Sequence, residues 1–395
     1  MQMIPTVATA LADADLCVKC GLCTPHCPTY RLTQHEADGP RGRIALSQAL
    51  LSGTLPAGKS LVAHLDGCLS CRACEAVCPA KVPYGRVLDT ARAALATPER
   101  TRLTRRMGLV LDSGLLRALA RTALWCASLL LDHGRIAQRL PRWLHARPVV
   151  RRLLAVPAPA QARVALFTGC VGDVAERAVL RDAVRLFKAA GVTVAIPPDQ
   201  GCCGALHQHG GLAEAAAQRA ARNARAFANC EVVLPLASGC GAALRDLGRE
   251  AGVDAPSLSP KVRDLCTALA EALDAKPPVF QPRVLRVGIH TACTQANVFG
   301  AKGAVRRLLV RIPGIELVDL APESGCCGAA GTAFITQPGQ AAQLLQPKLD
   351  AAATVDVVVS ANIGCSLHLL AGLRGRGRSV PVLHPLSLLA QALAS

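Results

Sequence analysis

The chain has 395 residues, with 44 Lys and Arg against 27 Asp and Glu and a formal net charge of +17. That length accommodates two to four domains, each able to bury its own core, and 51% apolar with only 18% charged residues excludes a globally disordered chain. The basic balance raises nucleic acids, anionic membranes and acidic proteins as partners, but 3% aromatic residues leave too little for base stacking, so no nucleic-acid role is expected.

The first residues, MQMIPTVATALADADLC, lack the basic start and long apolar core of an export signal. The longest uncharged apolar run in the middle of the chain, Thr122 to Leu131, is half the length of a membrane-spanning helix. A reducing cytoplasmic setting is therefore expected, in which the 19 cysteines ligate metals rather than pair. Cys17, Cys20, Cys23 and Cys27 precede Pro28, and Cys68, Cys71, Cys74 and Cys78 precede Pro79; both groups read CxxCxxCxxxCP. Zinc sites use separated ligand pairs and have no need of three cysteines at strict intervals of three. In the ferredoxin pattern three thiolates surround one cubane and the fourth reaches the other. Cys17, Cys20, Cys23 and Cys78 are thus expected to hold one [4Fe–4S] cluster, and Cys68, Cys71, Cys74 and Cys27 the second. The 40 residues between Cys27 and Cys68 exceed a compact βαβ ferredoxin and include an apolar helical pattern from about Arg41, which predicts a mainly helical dicluster domain over 1–95.

From 96 to 160 the composition shifts to a basic helical connector. Twelve arginines (the first Arg100, the last Arg152) face only Glu99, Asp112 and Asp132. Leu111, Leu115, Leu116, Leu119, Leu124, Leu129 and Leu130 recur at helical spacing, with Trp125 and Trp143 as interface anchors. Two readings stand: a basic amphipathic surface docking on anionic lipid or an acidic subunit, and a linker whose apolar stripe packs on its own neighbours. VPAPAQ, Val156 to Gln161, is a proline-rich hinge.

Beyond the hinge the sequence repeats. RVALFTGC (ending at Cys170), DQGCCGA (Cys202, Cys203) and LASGCGA (Cys240) are echoed by RVGIHTAC (Cys293), ESGCCGA (Cys326, Cys327) and ANIGCSL (Cys365), at offsets of 123, 124 and 125 residues. A near-constant shift is the mark of duplication. Each copy alternates apolar runs (Val164 to Phe167, Val192 to Ile196 and Val232 to Leu236; then Val284 to Ile289, Ile315 to Leu320 and Val355 to Ser360) with helical stretches, which predicts two parallel α/β domains, 161–280 and 281–395. In such sheets the loops after the strands line one crevice. Each copy would deliver four thiols there, suited to a further cluster, another metal or thiol–disulfide chemistry; the plain alternative is buried structural cysteine. His207, His209, His290 and His368 lie nearby in sequence; lone histidines are more often structural, though Cys365 and His368 have ligand-like spacing. Cys126, Cys230 and Cys266 fall outside the repeat.

Two ferredoxin motifs followed by two CCG repeats resemble the group that includes heterodisulfide reductase subunits, the iron–sulfur subunit of anaerobic glycerol-3-phosphate dehydrogenase and lactate-utilisation proteins. The finer resemblance is to the iron–sulfur subunits of glycolate oxidase, carried by CVKCGLCTPHCPTY (Cys17 to Tyr30), DGPRGRI (Asp38 to Ile44), CLSCRACEAVCP (Cys68 to Pro79), GCCGA (Gly201 to Ala205), SGCGA (Ser238 to Ala242), CCGAAGT (Cys326 to Thr332) and ANIGC (Ala361 to Cys365). It spans nearly the whole chain and is loosest in the connector. The sequence departs from the heterodisulfide reductase branch at Ala243 and His368, where that branch carries a further cysteine, and Ala292 replaces a common proline. The resemblance implies an electron-transfer subunit, not catalytic alone, of a complex that oxidises glycolate, and also D-lactate, to the 2-oxo acid. It implies FAD on partner subunits, a membrane quinone pool as acceptor, and a cytoplasmic chain held peripherally at the inner membrane. No GxGxxG follows a strand here, in keeping with flavin on another chain. A second reading is a thiol-active, or lactate- or glycerol-3-phosphate-linked, reductase subunit whose CCG crevice binds substrate itself.

Overall fold

The computed structural model describes residues 6–113, 159, 162–250 and 257–394. Trp125, Cys126, Trp143, the leucines from Leu115 to Leu130, the arginines from Arg117 to Arg152 and all of VPAPAQ except Pro159 lie outside the described residues. No helix among the described residues is long and apolar enough to cross a membrane.

The N-terminal part is helical. Its main helices are Val7–Asp15, Pro28–Thr33, Pro40–Leu51, Lys59–Asp66, Tyr84–Ala94 and Pro98–Asp112. Pro28 and Pro40 stand at helix starts, where the missing N–H has no intrahelical partner to lose. Thr6 caps the first helix by accepting from the Thr9 N–H at 3.1 Å. Ala14, Ile44, Leu65, Val87, Leu88 and Ala91 form a small core, and Cys17, Cys68, Cys74 and Cys78 close against its edge.

The remainder is α/β. Strands β1 (Val164–Phe167), β2 (Val194–Ala195) and β3 (Val232–Pro235) form a parallel sheet in the order β2-β1-β3; β4 (Leu285–His290), β5 (Ile315–Asp319), β6 (Val357–Ser360) and β7 (Val382–Leu383) form a second in the order β5-β4-β6-β7. The duplication therefore extends to topology, and β7 extends the second copy. The run expected over Val192 to Ile196 shrinks to two residues because Pro197 and Pro198 follow and can donate no ladder hydrogen bond. β6, VVVS, is buried throughout, as strands covered on both faces are. Leu166 and Leu234 from the first sheet share one core with Val287, Ile289, Val357 and Val359 from the second, joined by Leu186, Leu269, Leu308 and Leu389 from intervening helices. The two sheets thus face a common interior, and their strand ends carry the cysteines.

Candidate metal centres

The two N-terminal cysteine loops share an unusual backbone. Lys19 and Gly21 in the first, and Ser70 and Arg72 in the second, all take positive φ, between 49° and 81°, at equivalent positions. Left-handed non-glycine residues cost roughly 1–2 kcal/mol each, and here they curl each CxxCxxC segment around a point. Cys17, Cys20 and Cys23 share an apolar pocket with Cys78 and, at its edge toward the second loop, Cys74, walled by Val18, Leu22, Ile44, Val82 and Tyr84. Burial raises the Cys23 thiol, and its neighbours Cys17, Cys20 and Cys78 raise it further. Cys20 itself is exposed. In the second loop, burial drives Cys71 and Cys74 well up, with Cys68 and Cys27 close enough to add to both. The structure therefore brings the last cysteine of each motif to the other motif's triple.

Polar side chains with no cysteine-like signature surround the second set. The Tyr84 hydroxyl donates to Cys68 Sγ at 3.4 Å, and Thr29 Oγ1 lies 3.2 Å from Cys27 Sγ. Arg43, only 1% exposed, donates to Thr29 Oγ1 at 2.8 Å and to the His64 carbonyl at 2.6 Å. Burial works against its charge, but Cys68, Tyr84, Cys27 and Asp38 outweigh that and raise its pKa. Arg92 donates to the Leu65 and Cys68 carbonyls. Sequence reasoning missed these supports; an arginine at a core-facing helical position beside Ile44 was the available signal for Arg43. Two sets of four soft thiols, with hydrogen-bond donors and a buried cation beside one, match what iron–sulfur clusters require of their ligands and surroundings.

The CCG loops place thiols at strand ends. In copy one Cys170 and Cys202 sulfurs are 3.6 Å apart, and Gly204 N–H points at Cys202 Sγ at 3.5 Å. Hydrogen bonds from Cys170, Cys203 and His207 pull the Cys202 pKa far down, while Cys170, bonded to Cys202, and Cys203, bonded to Cys202 and Cys240, are pushed up. In copy two Cys293 and Cys326 are 3.9 Å apart, and Gly328 N–H reaches Cys326 Sγ at 3.4 Å. Cys327 bonds onward to Cys326 and Cys365, and Asn362 Nδ2 donates to Cys365 Sγ at 3.2 Å. Asn362 Oδ1 also accepts from Gly239 N–H of copy one at 3.2 Å, which ties the two final cysteine loops together. Gly204 and Gly328 adopt φ of +90° and +84° in close contact with neighbouring helices, a conformation that favours glycine. His368 stacks obliquely on Phe334 at 6.0 Å and bonds the Cys327 backbone. Cys230 and Cys266 are buried in the apolar cores.

The dicluster region is seated on both copies. Asn297 Nδ2 donates to the Cys71 carbonyl at 2.8 Å, Gln340 Nε2 to the Gly67 carbonyl at 3.0 Å, and Leu69 packs with Cys326 and Leu344 while Cys71 and Cys293 flank them. Arg72 pairs with Asp246, and His209 meets Asp89 at 3.0 Å. Although burial opposes it, His209 holds the Asp89 carboxyl below its ordinary value.

These features define an iron–sulfur protein that joins a dicluster region to a duplicated cysteine-rich α/β unit. A 4Fe-4S dicluster domain family model matches residues 13–82, and a cysteine-rich (CCG) domain model matches 164–245 and 287–370. The chain is 33% identical to the glycolate oxidase iron-sulfur subunit of Escherichia coli (strain K12), over 97% of this chain and 95% of that protein. It is 30% identical to the "Probable glycolate oxidase iron-sulfur subunit" of Bacillus subtilis (strain 168), over 95% and 93%. It is also 28% identical to lactate utilization protein A of Geobacillus kaustophilus (strain HTA426), over 56% of this chain and 96% of that protein. The chain belongs to the family of glycolate oxidase iron-sulfur subunits. It carries [4Fe–4S] clusters and serves as the electron-transfer component of an oxidoreductase complex.

Proposed function

We propose that this chain is the iron–sulfur subunit of a complex that oxidises glycolate, and also D-lactate, to the 2-oxo acid. Its partners carry FAD and the hydroxy-acid site, its electrons go to a membrane quinone pool, and it is held peripherally at the cytoplasmic face of the inner membrane. The regions are 1–95 for the dicluster, 96–160 for a basic connector, and 161–280 and 281–395 for the cysteine-rich repeats. Cys17, Cys20, Cys23 and Cys78 hold one cluster and Cys68, Cys71, Cys74 and Cys27 the other; Cys170, Cys202, Cys203 and Cys240, and Cys293, Cys326, Cys327 and Cys365, hold a further cluster or metal. When bound, the clusters supply one-electron transfer between a two-electron donor and the acceptor.

The observation that carries this reading is the placement of the two thiol sets. The first reaches the surface at Cys20, among exposed Leu16, Val18 and Leu22, an apolar contact fit for a redox partner. The second lies inward, where Cys71 meets Cys293 and Cys326. Tyr84, Thr29 and Arg43 stabilise negative charge on the inner sulfurs and so favour electron uptake there. Anaerobically purified chain should be brown, with about eight iron atoms in the dicluster. Cys20→Ser should lose roughly half of these and abolish glycolate-dependent dye reduction by the complex with its flavoprotein. A colourless, zinc-loaded chain, or dye reduction that survives Cys20→Ser, would overturn the proposal.

A further inference from the structure

His290 ends β4 with 1% of its surface exposed, and neither ring nitrogen has a hydrogen-bond partner among the described residues. A buried polar group left unpaired forfeits its hydration without compensation, so the fold carries this ring at a penalty. Copy one avoids it: the equivalent residue is Phe167, whose ring packs on Phe227 at 6.0 Å. Packing alone is met by phenylalanine at this position, where only the second copy carries an imidazole. One ring nitrogen of His290 and the sulfurs of Cys327 and Cys365 all lie within 4.8 Å of one another.

We propose that copy two holds a metal centre in which His290 supplies an imidazole ligand beside Cys327 and Cys365, whereas the copy-one site takes thiolates alone. Mixed thiolate and imidazole donors select zinc or iron, the latter as an ion or a cluster, over hard cations. The surroundings suit such a centre. Lys348, 2% exposed and donating to the Leu320 carbonyl at 3.0 Å, lies close enough to Cys327, Cys326 and Cys365 to balance thiolate charge. Asn362 orients Cys365 from outside, as ligand supports do. Cys293 and Cys326 extend the set toward Cys71, so the copy-two thiols adjoin a dicluster cysteine.

The His290 ligand rests on the reading that the copy-two thiols hold a metal, and is independent of the substrate of the complex. It is tested on full-length chain purified anaerobically, with iron and zinc counted per chain. Wild type should hold metal beyond the dicluster's roughly eight irons. It should also show nitrogen coordination, by pulsed paramagnetic resonance if the metal is iron or by zinc-edge absorption if it is zinc. His290→Phe, which installs the copy-one residue, should lose the copy-two metal and the nitrogen signal while keeping the dicluster spectrum. His290→Cys should retain the metal with the nitrogen signal gone, which keeps the test alive if the phenylalanine variant fails to fold. Unchanged metal content and spectra in both variants, or a wild type with neither extra metal nor nitrogen coordination, would overturn it.

Discussion

The two cysteine-rich copies share strand order, loop glycines and thiol spacing, yet they bury different ionisable groups. At three aligned positions copy one carries Phe167, Glu176 and His207 where copy two carries His290, Phe299 and Gly331. In copy one His207 and two thiols bond Cys202, so one sulfur is favoured as thiolate; in copy two burial and neighbouring sulfurs hold Cys293, Cys326 and Cys327 up. Copy two also meets the dicluster loop through Cys71. Duplication has kept the backbone devices that gather four thiols while the electrostatics around them diverged. Backbone geometry tolerates few substitutions, whereas one aromatic exchanged for an imidazole alters chemistry at little cost in shape.

The largest contrast is Glu176, buried with one carboxylate oxygen unpartnered among the described residues and its pKa pushed up to about 8 by burial. The folded chain keeps this carboxyl neutral at pH values where the unfolded chain, near the ordinary 4.5, has ionised it. The stability it contributes is complete below about pH 4.5 and is lost as pH rises through about 8, at roughly 1.4 kcal/mol per pH unit. Glu176→Gln should flatten the dependence of Tm on pH across that window; an unaltered slope would erase this difference between the copies.

The CC loops rank next. A Cβ on Gly328 would sit 2.8 Å from the Ala341 carbonyl oxygen, which is backbone and cannot yield, whereas on Gly204 it would meet the movable end of Leu247 at 2.9 Å. Gly328→Ala should cost about 2–4 kcal/mol and Gly204→Ala about 1–2 kcal/mol by denaturant midpoint; equal losses would remove the ranking. His207→Ala, with about 1 kcal/mol at stake, should raise the pH at which a small alkylating reagent traps Cys202 in metal-free protein, as read by mass spectrometry. The smallest effect belongs to Arg163, whose pair with Glu231 is 82% and 58% exposed. Arg163→Ala should leave Tm unchanged within error, because exposed ion pairs are screened by water and salt.

Much of the architecture was legible because its signals are local. The CxxCxxCxxxCP loops, the 123- to 125-residue offset and the alternation of apolar runs with helices each depend on residues near one another in sequence. Strand ends were less legible: Pro197 and Pro198 cut β2 short, and β7 is only two residues long. His290 read as an ordinary histidine because its meaning depends on Cys327 and Cys365, 37 and 75 positions away. Arg43 and Tyr84 were missed for the same reason, since their partners Thr29, His64 and Cys68 come from other segments.

By itself the sequence determined the metal chemistry and the repeat, because thiolate spacing and hydrophobic period are written along the chain. Only packing set that both sheets share one core, that His290 lies beside Cys327 and Cys365, and that the dicluster loop rests on both repeats. Those are contacts between distant segments, fixed by side-chain volume, by buried hydrogen bonds such as Asn297 to Cys71 and by the cost of burying unpaired polar groups.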